Sequence, residues 1–210
     1  MKNILIVDDH EIVRDGLKKI LNEQPDHKIF GEASAAPEAL RLVAEQEWDV
    51  VVLDLSLGGR SGLEVLKELK QIHPRLPVLI LSMHSEAQYA RRAFKAGAAG
   101  YITKDSPRAE LVKAIYKVAE GGRYVSNAFA EELVIDLERG SDRPIYEILS
   151  DREFEVMRLI ASGKTVGEIG VLLSLSDKTI STYRARILEK MGMRTNAELI
   201  HYAIQNSLVD

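Results

Sequence analysis

The chain has 210 residues, 46% hydrophobic and 29% charged, which is the make-up of one large or two small globular domains. It contains no cysteine, so disulfides and thiolate metal sites are excluded. No run of eighteen apolar residues occurs, so no membrane-spanning helix is expected, and a net charge of -4 gives no overall sign of nucleic-acid binding.

The opening MKNILIVDDHE sets two carboxylates directly after a short apolar run. A secretory leader has a longer apolar core and a small-residue cleavage site, so a cytoplasmic location is expected. Apolar runs then recur at Ile4 to Val7, Lys28 to Ala33, Val50 to Leu53, Val78 to Leu81 and Gly100 to Ile102. Three of them are nearly continuous Val, Ile and Leu, as in strands buried on both faces. Stretches of helical period lie between and after them: Glu11 to Asn22, Pro37 to Gln46, Gly62 to Ile72, Glu86 to Ala96 and Pro107 to Glu120. Pro37 and Pro107 are read as helix starts. Five alternations of strand and helix predict a parallel sheet covered on both sides.

The alternation stops at Gly121-Gly122. One amphipathic run, Asn127 to Leu137, is followed by the polar stretch Arg139 to Pro144, read as a linker helix and a flexible tether. Everything after Ser150 has helical period. Ser150 with Glu153, and Thr165 with Glu168, have capping-box spacing and open helices to Ala161 and Leu173. Ser176 caps a longer helix, Asp177 to Met191, ended by Gly192, and Asn196 to Gln205 is the last. The expected domains are 1–122, a linker 123–148, and 149–210.

Polar residues follow the strands: Asp8 and Asp9 after the first, Asp54 after the third, Ser82 after the fourth and Lys104 after the fifth. In a doubly wound sheet these ends share one rim. Three carboxylates in one pocket repel unless a cation joins them. With oxygen ligands and no His or Cys expected nearby, Mg²⁺ is the fitting ion. A carboxylate beside it can attack a phosphoryl group to give an acyl phosphate. Lys104 offers a positive charge and Ser82 a hydroxyl for phosphate oxygens. Each residue alone would be an ordinary cap or loop residue; their joint placement at four strand ends carries the reading.

The segments IVDDHEIVRDGL, VVLDLSLGGRSGLEVL and VLILSMHSEAQYARRAFKAGAAGYITKD resemble the receiver domain of two-component response regulators of the NarL/FixJ (LuxR-type) family. The resemblance implies sheet order 2-1-3-4-5. It makes Asp54 the phosphoacceptor, with Asp9, Asp54 and the Ser56 backbone carbonyl on Mg²⁺ and Asp8 reaching the ion through water. Ser82 and Lys104 would bind the phosphoryl group, and Tyr101 would be the switch aromatic; the alternative for Tyr101 is an amphipathic residue at the sheet edge. Gly58 stands where the family usually has Pro, so that loop is expected to be more flexible. Asp105 follows the lysine where many receivers have a cis Pro, leaving that bond's isomer open. His84 is read as a loop residue.

Leu149 to Asp210 holds eight Lys/Arg and eight Asp/Glu, and Lys178 to Arg194 has five bases against one acid. On charge alone a solvated helix face is the plainer explanation. The spacing helix, short turn (Ser174 to Ser176), longer helix fits a helix-turn-helix. LSDREFEVMRLIASGKTVGEIGVLLSLSDKTISTYRARILEKMGMRTNAELIHYAI resembles the LuxR-type output domain over its full length, and KTISTYRARILEKM is similar to the BvgA/EvgA branch. Ile180, Ile187, Leu188 and Met191 form the expected buried stripe. Ser181, Thr182 and Ala185 would face base edges and, being small, read little on their own. Thr179 belongs to the same surface, and Lys178, Arg184, Arg186 and Lys190 would chiefly hold phosphates. Asn196 to Gln205 is the family's contact between output domains; completing the domain core explains it nearly as well. Gly167 and Gly170 are poor helix formers with no assigned role.

The resemblance implies a phosphorylation-switched transcription regulator. Its partners would be a sensor histidine kinase, double-stranded DNA, a second copy of the chain and RNA polymerase, with no membrane. It would be no enzyme beyond its own phosphotransfer and dephosphorylation. A regulator of the same architecture that works without phosphorylation is the alternative. Haloacid-dehalogenase-like phosphatases also form an aspartyl phosphate, but Asp54-Leu55-Ser56 lacks the second Asp of their motif.

Overall fold

The computed structural model describes residues 2–23, 27–58, 60–139 and 144–209. The chain divides into two units, Met1–Ile135 and Asp136–Asp210. The first runs β1 (Lys2–Val7), α1 (Glu11–Asn22), β2 (His27–Ala33), α2 (Ala36–Glu45), β3 (Val50–Asp54), β4 (Ser56–Leu57), β5 (Arg60–Ser61), α3 (Gly62–Ile72), β6 (Val78–Ser82), α4 (Glu86–Lys95), β7 (Gly100–Thr103) and α5 (Arg108–Ala119). Helix α6 (Asn127–Arg139) begins in the first unit and ends in the second.

The sheet order is β2-β1-β3-β6-β7, with every pair parallel. This is the expected 2-1-3-4-5 order; the unexpected β4–β5 pair is a separate antiparallel ribbon beyond β3. Every residue of β3 and β6 is buried, which is why their sequences are continuous rather than alternating. Ile4, Ile6, Val50, Val52, Leu79 and Leu81 pack on Leu17 and Leu21 of α1 and on Leu111, Ile115 and Val118 of α5. The alternate positions Leu5, Val51, Leu53 and Ile80 are equally buried on the other face. The sheet is therefore a rigid platform, and its registers bring the strand ends level: Val7 opposite Leu53, Asp54 opposite Leu81, Ser82 opposite Thr103.

The two proline-marked starts are each displaced by one residue. α2 begins at Ala36 with Pro37 second, and Pro107 is the cap before α5. The linker helix runs two residues past its expected end at Leu137. Residues 140–143 of the expected tether lie outside the described residues.

In the second unit a 3-10 turn (Ile145–Ile148) precedes α7 (Asp151–Ala161), α8 (Val166–Leu173), α9 (Asp177–Met191) and α10 (Asn196–Gln205). Ser150 and Thr165 form complete capping boxes with Glu153 and Glu168. Ser176 and Thr195 each accept an amide hydrogen bond from the third helical residue. Phe154, Val156, Met157, Ile169, Ile180, Ile187 and Leu199 form the core. Of the four residues expected to form the buried stripe of α9, Leu188 is only half-buried.

Candidate functional site

The strand ends converge as the topology requires. Asp8, Asp54 and Ser82 are all buried. Lys104, just past β7, places Nζ 2.6 Å from Asp8 Oδ2 and 2.8 Å from Asp54 Oδ2. Its backbone amide donates to Ser82 O at 2.8 Å, tying the lysine to the next strand. Asp8 Oδ1 accepts the His10 amide at 2.9 Å. Asp9 is partly exposed, and its Oδ2 accepts the Gly58 amide at 3.1 Å.

His10 corrects the expectation of a site without histidine. Its Nδ1 lies 2.7 Å from Asp9 Oδ1, and ligand atoms of Asp8, Asp9, His10 and Asp54 all fall within 4.8 Å of one another. Adjacency to the Asp pair in the sequence was the available signal. Gly58 lies between β4 and β5. It sits at φ +33°, which proline cannot adopt, and its N–H is a donor that proline lacks.

Burial pushes the Asp54 carboxyl above the ordinary carboxylate range and the charge of Asp8 adds to this; Lys104 and the Ser56 amide pull the other way. Burial would lower Lys104, but its hydrogen bonds and ion pairs with Asp54 and Asp8 outweigh that and raise it. Asp54 Oδ1 is buried and accepts no hydrogen bond of ordinary geometry. Buried carboxylate oxygens normally have partners, so a pocket with three acids, one lysine and an unsatisfied oxygen fits an oxygen-liganded divalent cation.

Gly62 packs behind Asp54, and the His84 backbone links Ser82 to Tyr101. A Cβ on Gly62 would lie 2.3 Å from the Asp54 carbonyl oxygen, and the Gly62 amide donates to Leu55 O at 2.8 Å. Only glycine allows α3 to start so close behind the acidic residue, a role the sequence reading missed. Ser82 Oγ accepts the His84 amide at 3.1 Å, and Tyr101 Oη donates to His84 O at 2.8 Å. Tyr101 is wholly buried, unlike an amphipathic edge residue. His84 contributes its backbone here, while its ring stacks on Tyr89. No described peptide bond is cis, so Lys104–Asp105 is trans.

In the second unit the α8–α9 turn is built by close packing. Ser174 takes a left-handed conformation, and Leu175 N donates to Gly170 O at 2.8 Å. A Cβ on Gly170 would lie 2.8 Å from Leu175 O, which accounts for that glycine. Gly167 faces open space and nothing in the structure explains it. The buried Arg152 guanidinium donates to Leu173 O at 3.0 Å, closing the end of α8.

On α9, Lys178, Thr179, Thr182 and Arg186 line a cleft of about 270 Å³ together with Tyr183, which was not anticipated. Ser181 and Ala185 are exposed beside it. The other two expected residues are engaged elsewhere: Arg184 Nε donates to Asn196 Oδ1 at 2.7 Å, and Lys190 Nζ to the buried Glu153 Oε2 at 2.7 Å. α10 buries Leu199 and Ala203 while leaving Ile204 exposed.

Comparison with known proteins agrees with this geometry. Residues 4–116 match the response regulator receiver domain family, and residues 147–203 match the bacterial regulatory proteins of the luxR family. Response regulator UvrY of Escherichia coli is 35% identical over 209 residues, covering 99% of this chain and 96% of the relative. Response regulator GacA of Pseudomonas aeruginosa is 35% identical over 212 residues, covering 100% and 99%. The structure of RcsB from Salmonella enterica serovar Typhimurium, bound to promoter rprA with phosphomimetic BeF3-, aligns with TM-score 0.63 and 26% identity over 96% of this chain and 98% of that one. With both domain families matched and full-length relatives at this identity, the chain belongs to the two-component response regulators of the NarL/FixJ (LuxR-type) family.

Proposed function

We propose that the chain is a DNA-binding transcription regulator whose dimerisation is promoted when a histidine kinase phosphorylates Asp54. The observation that carries this is the Asp54 carboxylate, buried against Lys104 with one oxygen unsatisfied. In the transfer an Asp54 oxygen bonds to phosphorus as the P–N bond of a phosphohistidine breaks. Lys104 then pairs with a phosphoryl oxygen instead of Asp54 Oδ2, and the Ser82 hydroxyl donates to another. Asp8, Asp9, Asp54 and the Ser56 backbone carbonyl would hold Mg²⁺, with His10 orienting Asp9. When bound, the ion offsets the repulsion between the carboxylate and the incoming phosphoryl oxygens. No other catalysis is assigned.

Residues 1–122 act as the receiver, 123–148 as the linker and 149–210 as the reader. Phosphorylation adds roughly two negative charges and biases the loop around Ser82 and Tyr101. In the reader, Lys178, Thr179, Thr182 and Arg186, with Tyr183, grip the DNA backbone, and Ser181, Thr182 and Ala185 lie toward base edges. Arg184 and Lys190 act first through Asn196 and Glu153, and reach phosphates second. Paired half-sites would be bound by a dimer, with α10 and its exposed Ile204 as the contact between readers. The promoter-bound RcsB structure with BeF3- supports this reading. RNA polymerase is a further partner of such a regulator, and the cytoplasm is its location; among the described residues no helix is long and apolar enough to cross a membrane.

The test is labelling with acetyl phosphate and Mg²⁺, followed by DNA binding. The native chain should be labelled and gain affinity, while Asp54→Asn should do neither and remain folded. Labelling of Asp54→Asn at the native level would refute the assignment. An unchanged DNA affinity on phosphorylation would favour the phosphorylation-independent alternative.

A further inference from the structure

We infer that the segment Tyr124–Phe129 is a strap that carries the state of Asp54 out of the receiver, fastened to the backbone at Tyr101 and to both ends of α4. The inference rests on the phosphorylation reading above and names the residues through which the signal leaves.

The fastening has two parts. Along the outer edge of β7 the strap pairs like a short extra strand: Tyr124 N donates to Ala99 O at 3.0 Å and Tyr101 N to Tyr124 O at 3.4 Å. Tyr124 is itself buried in the core against β7 and α5. The strap then reaches α4. Glu86, in the first turn of α4, accepts the Ser126 amide at 3.2 Å. Phe94, in its last turn, stacks on the buried Phe129 at 5.9 Å. Ser126 also caps α6, since its Oγ accepts the Phe129 amide at 3.1 Å. The first turn of α6 is thus set by a residue that α4 holds.

These same elements follow directly from the phosphorylation rim. Ser82 Oγ now accepts the His84 amide, and His84 O accepts the Tyr101 hydroxyl. α4 begins two residues after His84. When the Ser82 hydroxyl turns to a phosphoryl oxygen, the His84 amide loses its acceptor and the loop entering α4 is released. That loop positions Glu86, and Glu86 holds Ser126. One event therefore disturbs two of the strap's three fastenings, the Tyr101 edge and the start of α4. Contiguity alone is an associational argument for coupling; the physical requirement is an element with two arrangements that both sites bias. The strap is that element.

The experiment uses the full chain with beryllium fluoride and Mg²⁺ as the phosphoryl mimic, read by hydrogen exchange and by DNA affinity. In the native chain, peptides spanning 123–130 should exchange roughly threefold faster once the mimic binds, a local opening rather than global unfolding. Glu86→Ala and Phe129→Ala should keep native acetyl-phosphate labelling of Asp54, yet cut the mimic-induced gain in DNA affinity roughly tenfold. Glu86→Gln retains a carbonyl acceptor for Ser126 and should restore most of the gain, which a merely structural role in α4 would not require. Unchanged exchange in 123–130, or a full affinity gain in both alanine variants, would overturn the inference. Should the native chain gain no affinity at all, the phosphorylation reading fails instead.

Discussion

Both units bury charge, and they do so in opposite ways. In the first, Asp8, Asp54 and Lys104 share a pocket in which two acids face one base and Asp54 Oδ1 has no ordinary hydrogen bond. In the second, Glu153 accepts from Ser150 and Lys190, while Arg152 donates to Glu155 and Leu173 O. Buried polar groups with full sets of partners specify a structure, whereas an incompletely satisfied one is held in place by its surroundings and is available for chemistry. The reader's buried ions are paired within its helix-turn-helix; the receiver's leave a carboxylate oxygen without an ordinary hydrogen bond.

The largest effect should come from removing the lysine that pairs with both buried acids of the receiver. Lys104→Ala leaves two buried acids facing each other and should destabilise the first unit by about 3 kcal/mol at neutral pH, measured by urea unfolding. Millimolar Mg²⁺ should recover much of this loss. Because Lys104 is raised above its ordinary 10.5, its contribution is complete below that value and disappears as the pH climbs through its folded pKa. The variant should lack this alkaline limb, and an unaltered limb would show that the lysine is not the group responsible.

Next in size is Arg152→Met, which frees Leu173 O at the end of α8 and should cost about 2 kcal/mol. The reader's stability, followed by hydrogen exchange in α8, should fall with no change in acetyl-phosphate labelling. Glu153→Gln should be milder, about 1.5 kcal/mol near neutrality. Burial alone would raise the Glu153 carboxyl, but Lys190 and Ser150 hold it below its ordinary 4.5. Its contribution is therefore full above 4.5 and is lost as the pH drops through the lower folded value. The native reader should weaken in that acid window and the variant should not; identical acid profiles would sink the attribution.

The smallest and most telling effect is a gain. Asp54→Asn removes a buried charge whose carboxyl is raised by burial and by Asp8, so the fold should become about 1 kcal/mol more stable at neutral pH while phosphorylation is lost. The gain should fade on acidification, where the native carboxyl takes up its proton. A destabilised Asp54→Asn chain would place Asp54 with the reader's structural ions and erase the contrast between the units.

Much of this was legible in the sequence, for reasons that differ between the units. Three of the reader's helix starts follow from Ser150, Thr165 and Ser176, whose side chains cap within three residues. Such signals are local, so the boundaries read from them hold to the residue. Helices α1 to α5 have no side-chain cap. They are placed by packing on the sheet, and the starts of α2 and α5 duly shift by a residue. The rim was readable because a parallel sheet sends every strand end to one side. What escaped were relations set by three-dimensional approach: Gly62 against the Asp54 carbonyl, Arg184 and Lys190 drawn to Asn196 and Glu153, Tyr183 in the α9 cleft, and the strap across β7. None of these has a sequence period or a fixed spacing to betray it.

Gly58 bears on how such a protein would be engineered. Replacing a residue by the one its family favours is a common route to greater robustness, and the family resemblance points to proline at this position. Installing it would demand a backbone angle the ring forbids and would delete the amide that steadies Asp9. At this position the residue expected from the resemblance is the wrong guide, and the loop has to be redesigned together with the aspartate it supports.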